Sequence, residues 1–146
     1  MGRKIVVLAL LLFFAKPALA NVVGTVDYKE IVENYSKAKT AISQIDDRAV
    51  ELQRYLLDKE KEFKKIENPI KQRAFEEATA KEFAKKQQAY ANFKLQKEEA
   101  IDKEIEKAIK AVAIENKIDT VADYRTIYYG GVDITDKVIK KLNLSK

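Results

Sequence analysis

Between Tyr35 and Ile66, seam positions recur at spacings of three and four: Tyr35, Ala38, Ile42, Ile45, Ala49, Leu52, Leu56, Lys59, Phe63 and Ile66. Mostly Lys, Glu, Asp and Gln fill the positions between. An a/d pattern kept up this long predicts a coiled-coil seam rather than the broad apolar face of a globular helix. Pro69 cannot continue that helix, and Asn68 before it is pushed out of the helical region. The helical pattern resumes at Ile70 and runs to about Asn116, so the chain predicts one long helix out and another back. The outward helix, Lys29 to Ile66, is expected to loosen around Asn34 to Ser36 and to span roughly 55 Å at the α-helical rise. The return seam is less regular. Phe83, Tyr90, Phe93 and Ala100 follow one register and Ile101, Ile105, Ala108 and Val112 another, a stutter that alters the local winding.

Outside the arms the pattern changes to short β-branched runs. Val22–Tyr28, Ile118–Tyr124 and Thr126–Tyr129 read as strands, and Gly130-Gly131 as a turn. Asp133 is placed to cap a final helix, with Asp136 in its first turn and Val138, Ile139 and Leu142 as its apolar face. The fold class is therefore α+β: a long antiparallel helical (coiled-coil) hairpin arm inserted in a small β body. Most residues are spent on the arms, which leaves little for a core in a single copy. Three short strands cannot close a barrel, and their edges would stand open. The expectation is a body completed by oligomerisation, with Val22, Val26, Ile118, Val121 and Ile127 in it. A dimer or a loosely ordered monomer is the blander alternative.

The first twenty residues read as a secretory signal: Arg3 and Lys4, the apolar run Ile5 to Ala15, then Ala18-Leu19-Ala20 as a small-x-small cleavage site. The run is shorter than the roughly 20 apolar residues of a spanning helix, and Lys16-Pro17 interrupts it. Cleavage between Ala20 and Asn21 would leave an exported chain with no transmembrane segment. Removing Arg3, Lys4 and Lys16 lowers the formal charge from +5 to +2, which weakens any nucleic-acid-binding reading. The remaining charge is uneven: residues 59–86 around the turn hold nine basic and six acidic residues, and Lys59, Lys61, Lys64, Lys65, Lys71 and Arg73 make a mildly cationic tip.

With no cysteine and no histidine, the chain has no disulfide, no zinc site of those ligands and no histidine-based triad. The carboxylate pairs Asp46-Asp47, Glu76-Glu77 and Glu98-Glu99 are adjacent on helices and do not face each other, so they read as solvated surface. Neither an enzyme, nor a metal site, nor a cofactor is expected. The aromatic and aliphatic residues of the distal arms say more. Phe63, Ile66, Ile70, Phe75, Phe83, Tyr90 and Phe93 can all be coil packing, and Phe63 and Ile66 read best that way. Phe75 and Tyr90 exceed what a narrow two-helix seam consumes. Soft apolar side chains beside lysines suit an unfolded polypeptide, whose contacts must tolerate any sequence.

The order of these parts resembles the Skp/OmpH family of periplasmic chaperones over nearly all of the sequence after the leader. The resemblance rests on the Val22–Tyr28 strand, the hairpin with Arg48-Ala49-Val50-Glu51-Leu52-Gln53, the segment Lys117–Asp123, and the ending Val132–Asn143 with its Asp-Ile-Thr run. It divides the chain into a signal peptide (1–20) and one Skp-like domain (21–146), with a β body at 21–28 and 117–146 and an arm at 29–116. It implies a periplasmic homotrimer shaped like a jellyfish, whose arms enclose a cavity and hold unfolded outer-membrane proteins without ATP. It carries no catalytic residues. Some members contact lipopolysaccharide through basic residues, which extends the implication to a weak contact with an anionic membrane or lipopolysaccharide. The other class of function is a structural or adaptor coiled coil that spaces or tethers envelope components.

Overall fold

In a computed structural model, residues 21–144 are described. The signal-peptide reading of residues 1–20, and Ala20 of its cleavage site, lie outside them. The chain begins with strand β1 (Val23–Val26), helix α1 (Tyr28–Asn34) and the two arms, α2 (Ser36–Phe63) and α3 (Pro69–Glu115). It closes with strand β2 (Thr120–Asp123), one 3-10 turn (Tyr124–Thr126), strand β3 (Val132–Asp133) and helix α4 (Thr135–Leu144). The expected α+β class holds: a small sheet and long helices.

The turn between the arms forms as its chemistry dictates. Asn68 stays extended and its side-chain oxygen accepts from the amides of Ile70 (2.9 Å) and Lys71 (3.2 Å), with Pro69 in the first turn where no amide is needed. At the other end α3 stops in a Schellman motif. Lys117 adopts a left-handed φ of 55°, and the Ile118 amide donates back to Ala113 O at 2.9 Å. That reversal feeds the chain into β2.

The loosening expected near Asn34 to Ser36 is a full break. Tyr35 is extended, and its side chain does not cap α2. Asn143 of α4 serves instead: its Oδ1 accepts from the Ser36 amide (3.0 Å) and hydroxyl (2.6 Å), while its Nδ2 donates to Asn34 O (2.9 Å). One carboxamide therefore closes the end of α1 and opens α2.

The sheet order is β2-β1-β3, and both pairings are parallel. Parallel neighbours need a crossover, and the crossover from β1 to β2 is the whole hairpin. The expected strand at Thr126–Tyr129 is corrected. The Asp123 carboxylate accepts from the Arg125 amide (3.0 Å) and grips its guanidinium through two bonds, while the Thr126 hydroxyl donates to Asp123 O (2.7 Å). These contacts coil the backbone into a 3-10 turn. The third strand comes only after Gly130 and Gly131, both at positive φ, where a Cβ on Gly131 would lie 2.9 Å from the Thr25 side chain.

A second correction concerns the core. Val26, Ile31, Tyr35, Ala38, Ile105, Ala108, Val112, Ile118, Ile134, Val138 and Leu142 are buried in one cluster where the arms meet the body. A single copy thus closes a core, because α1 and α4 pack on the root of α3. Of the residues assigned to the oligomer body, Val26 and Ile118 lie in this internal core, Val121 and Ile127 are half-buried, and Val22 is exposed.

Candidate functional site

The arms pair in antiparallel register, read from side chains that meet across the seam. Phe63 faces Phe75 with ring centres 6.3 Å apart, and Tyr55 stacks on Phe83 at 6.5 Å with planes 9° apart. Nearer the root the Arg48 guanidinium lies 3.6 Å over the Phe93 ring. Other cations border the same rings: Lys59 lies near Tyr55 and Phe75, Lys86 near Tyr55, and Lys97 near Phe93. Each contact sets a positive charge against the negative face of a π system.

A two-helix seam gives each side chain only one neighbouring helix, and the burial shows it. Phe63, Ile66, Phe75, Phe83, Tyr90 and Phe93 are all half-buried, whereas Ile70 is 81% exposed. Phe75, read as surplus to the seam, is taken up by Phe63. Tyr90 has no such partner. It lines a groove of ≈ 620 Å³ between the arms, together with Gln44, Arg48, Leu52, Tyr55 and Phe93. The Tyr55 hydroxyl is shielded from solvent and, among the described residues, meets no acceptor in good hydrogen-bond geometry, although the Glu82 carboxylate is close by. Burial, with the nearby Glu82 carboxylate second, raises its pKa.

Sequence reasoning missed Tyr55 and Arg48. Heptad counting put Leu56 in the seam, yet Leu56 is exposed and Tyr55 turns inward. The spacing Leu52, Tyr55, Lys59 carries the same three-four signal and could have found it.

The cationic tip is more tied down than its composition suggested. Lys59 pairs with Glu62 at 2.8 Å, Lys61 with Asp58 at 3.2 Å, Lys64 with Glu60 at 2.6 Å and Arg73 with Glu77 at 3.5 Å. Lys59 is also drawn into the seam rather than held at the tip, and the hydrogen bond to Glu62 raises its pKa. Among the described residues Lys65 and Lys71 make no ion pair.

At the root the polar contacts are of another kind. The Tyr28 hydroxyl donates to Asp102, and the Tyr35 hydroxyl donates to Glu104, which Lys37 also reaches at 3.0 Å. Burial first, then Asp102, pushes the Tyr28 phenol up to about 12, and burial and Glu104 raise Tyr35 further. The Tyr35 hydroxyl, then Lys37, hold the Glu104 carboxyl below its usual range. A second groove of ≈ 340 Å³ lies beside these contacts, with Val32, Ile42, Ile45 and Ile101 in its wall.

The described residues thus form a helical hairpin rooted in a small parallel sheet, with aromatic side chains half-buried along an open seam. The family described as outer membrane protein (OmpH-like) matches residues 22–142. The chain belongs to that family, the Skp/OmpH family of periplasmic chaperones. Members of the family are chaperones of outer-membrane proteins rather than enzymes. No curated protein matches the chain. Among the described residues no helix is long and apolar enough to cross a membrane.

Proposed function

We propose that this protein is an ATP-independent holdase of the periplasm, exported with cleavage after Ala20 and assembled as a homotrimer whose arms surround unfolded outer-membrane proteins. The observation that carries the reading is the contrast in burial along the arm. The aromatic side chains there are half-buried and several aliphatic ones, Ile70 above all, are exposed, so they can exchange contact with each other for contact with a client of any sequence. Phe63, Ile66, Ile70, Phe75, Phe83, Tyr90 and Phe93 supply that surface, and Lys65 and Lys71 supply long-range attraction to acidic clients, which salt would screen. Because β1 is flanked on both sides, assembly would use the outer edges of β2 and β3 with exposed Val22, Val132, Tyr128 and Tyr129.

The test is light scattering of an unfolded outer-membrane protein diluted into buffer, with and without the mature chain at matched stoichiometry. The holdase reading expects aggregation to be suppressed without nucleotide. The adaptor reading draws on the ion-paired tip and on aromatics that also serve as coil packing. Unchanged aggregation together with capture of one folded envelope protein would establish it instead.

A further inference from the structure

The larger groove lies along the arm between two closed contacts, Tyr55 on Phe83 distally and Arg48 on Phe93 nearer the root. The seam should continue through this stretch but lacks the side chains to fill it, since Ala89 is small and Lys86 turns to the edge beside Glu82. Two side chains in it have unused capacity. Tyr90 makes no hydrogen bond, ring contact or cation contact among the described residues. Arg48 lies over Phe93 and, among the described residues, forms no ion pair, although Asp47 and Glu51 stand on the same helix. A guanidinium resting on a ring face keeps its N–H fork available to an acceptor.

The lining also identifies the kind of occupant. Arg48 and Lys86 are donors, Asp47 and Glu51 are acceptors, and Gln44 is both, so the groove is neutral as a whole and offers both halves of a hydrogen-bonding repertoire. An acyl chain would satisfy none of these groups, and an anionic lipid would meet two carboxylates. An extended polypeptide meets all of them, because its main chain alternates carbonyl acceptors with amide donors. Tyr90 and Phe93, one turn apart on α3, make a single aromatic wall against which a planar side chain can lie.

We propose that this groove is a polypeptide slot built into each arm, which takes one aromatic side chain of an extended segment against Tyr90 and Phe93 while Arg48 and Gln44 bind its main chain. It rests on the holdase reading and adds to it a defined site within a single chain, nearer the root than the exposed tip. Recognition of main chain plus one aromatic ring is loose in sequence yet selective for strands that are not yet paired.

The chain contains no tryptophan, so a tryptophan-bearing peptide reports alone when excited selectively. The probe is a short acetylated, amidated peptide of alternating valine and threonine with one central tryptophan, titrated with the mature chain. The slot predicts a blue-shifted emission and a rise in anisotropy. Arg48→Ala and Tyr90→Ala should each weaken binding about tenfold, the scale of one charge-assisted hydrogen bond or one aromatic contact. Arg48→Lys keeps the charge without the planar fork and should also weaken it, in a chain that still folds by circular dichroism. Leu57→Ala, on an exposed part of the same helix, should leave it unchanged. Equal binding by wild type and the Arg48 variants, or displacement of the peptide by a neutral alkyl detergent, would overturn the slot. A wild-type chain that ignores the peptide yet suppresses aggregation refutes the slot and spares the holdase. One that binds the peptide without suppressing aggregation does the reverse.

Discussion

The root and the outer arm both carry large apolar side chains and enclose them differently. At the root, Ile31, Ile105 and Val138 are fully buried, because α1, α3, α4 and β1 converge there. From residue 46 to residue 104 no described side chain is buried at all, although this stretch holds Phe63, Phe75, Phe83 and Phe93 with Tyr55, Tyr90, Leu52 and Ile66. The cause is geometric: three or more elements enclose a side chain, whereas two helices enclose only one face of it. The polar contacts divide in the same way. The root joins distant segments through Tyr28–Asp102, Tyr35–Glu104 and Asn143, whereas the arm relies mainly on exposed pairs three or four residues apart, which solvent screens and which contribute little. Stability is therefore concentrated in the root, and the arm is free to trade its contacts.

The comparison can be broken most strongly at Ile105. Ile105→Ala should destabilise the chain by about 3 kcal/mol through transfer and cavity costs, whereas Phe83→Ala in the half-buried seam should cost about 1 kcal/mol. Urea midpoints measure both, and equal costs would mean that the arm is as closed as the root. Next in size is Asn143→Ala, which removes the acceptor at the start of α2. It should cost about 1.5 kcal/mol and speed amide exchange at Ser36 and Lys37. No change would make the break at Tyr35 self-sufficient.

A smaller effect is expected in alkali. The Tyr28 pKa is raised on folding, so the stability that this phenol confers is complete below the ordinary tyrosine value near 10. It is then lost as pH rises through about 12. Discounted for partial exposure, this is about 1 kcal/mol. Tyr28→Phe should flatten that part of the stability profile, and Tyr35→Phe should flatten it too. An unaltered slope would remove the root phenols from the account.

What was legible in the sequence was local. Period and the Asn68-Pro69 stop each act within one turn, so the hairpin could be read directly, whereas the Asn68 cap went unread and the break at Tyr35, closed by Asn143 from α4, was legible only as a loosening. The final helix was legible for the same reason, with the Asp133 carboxylate accepting from the Thr135 amide at 2.9 Å. The third strand was not, because one Asp123–Arg125 pair overrides the β-branched character of Thr126 and Ile127. The internal core was hidden as well, since Ile31, Ile105 and Val138 are far apart in sequence and meet only through packing. At the site, half-heptad counting chose Leu56 over Tyr55, and nothing in the periodicity showed Arg48 resting on Phe93.

Hydrogen exchange along the chain, with and without an unfolded outer-membrane protein, tests the central division most directly. Amides around Ile31 and Ile105 should open only with global unfolding and be unmoved by the client. Amides in 44–55 and 83–93 should exchange by local opening and slow markedly when the client is present. Uniform protection along both arms, or client protection confined to the root, would contradict the account.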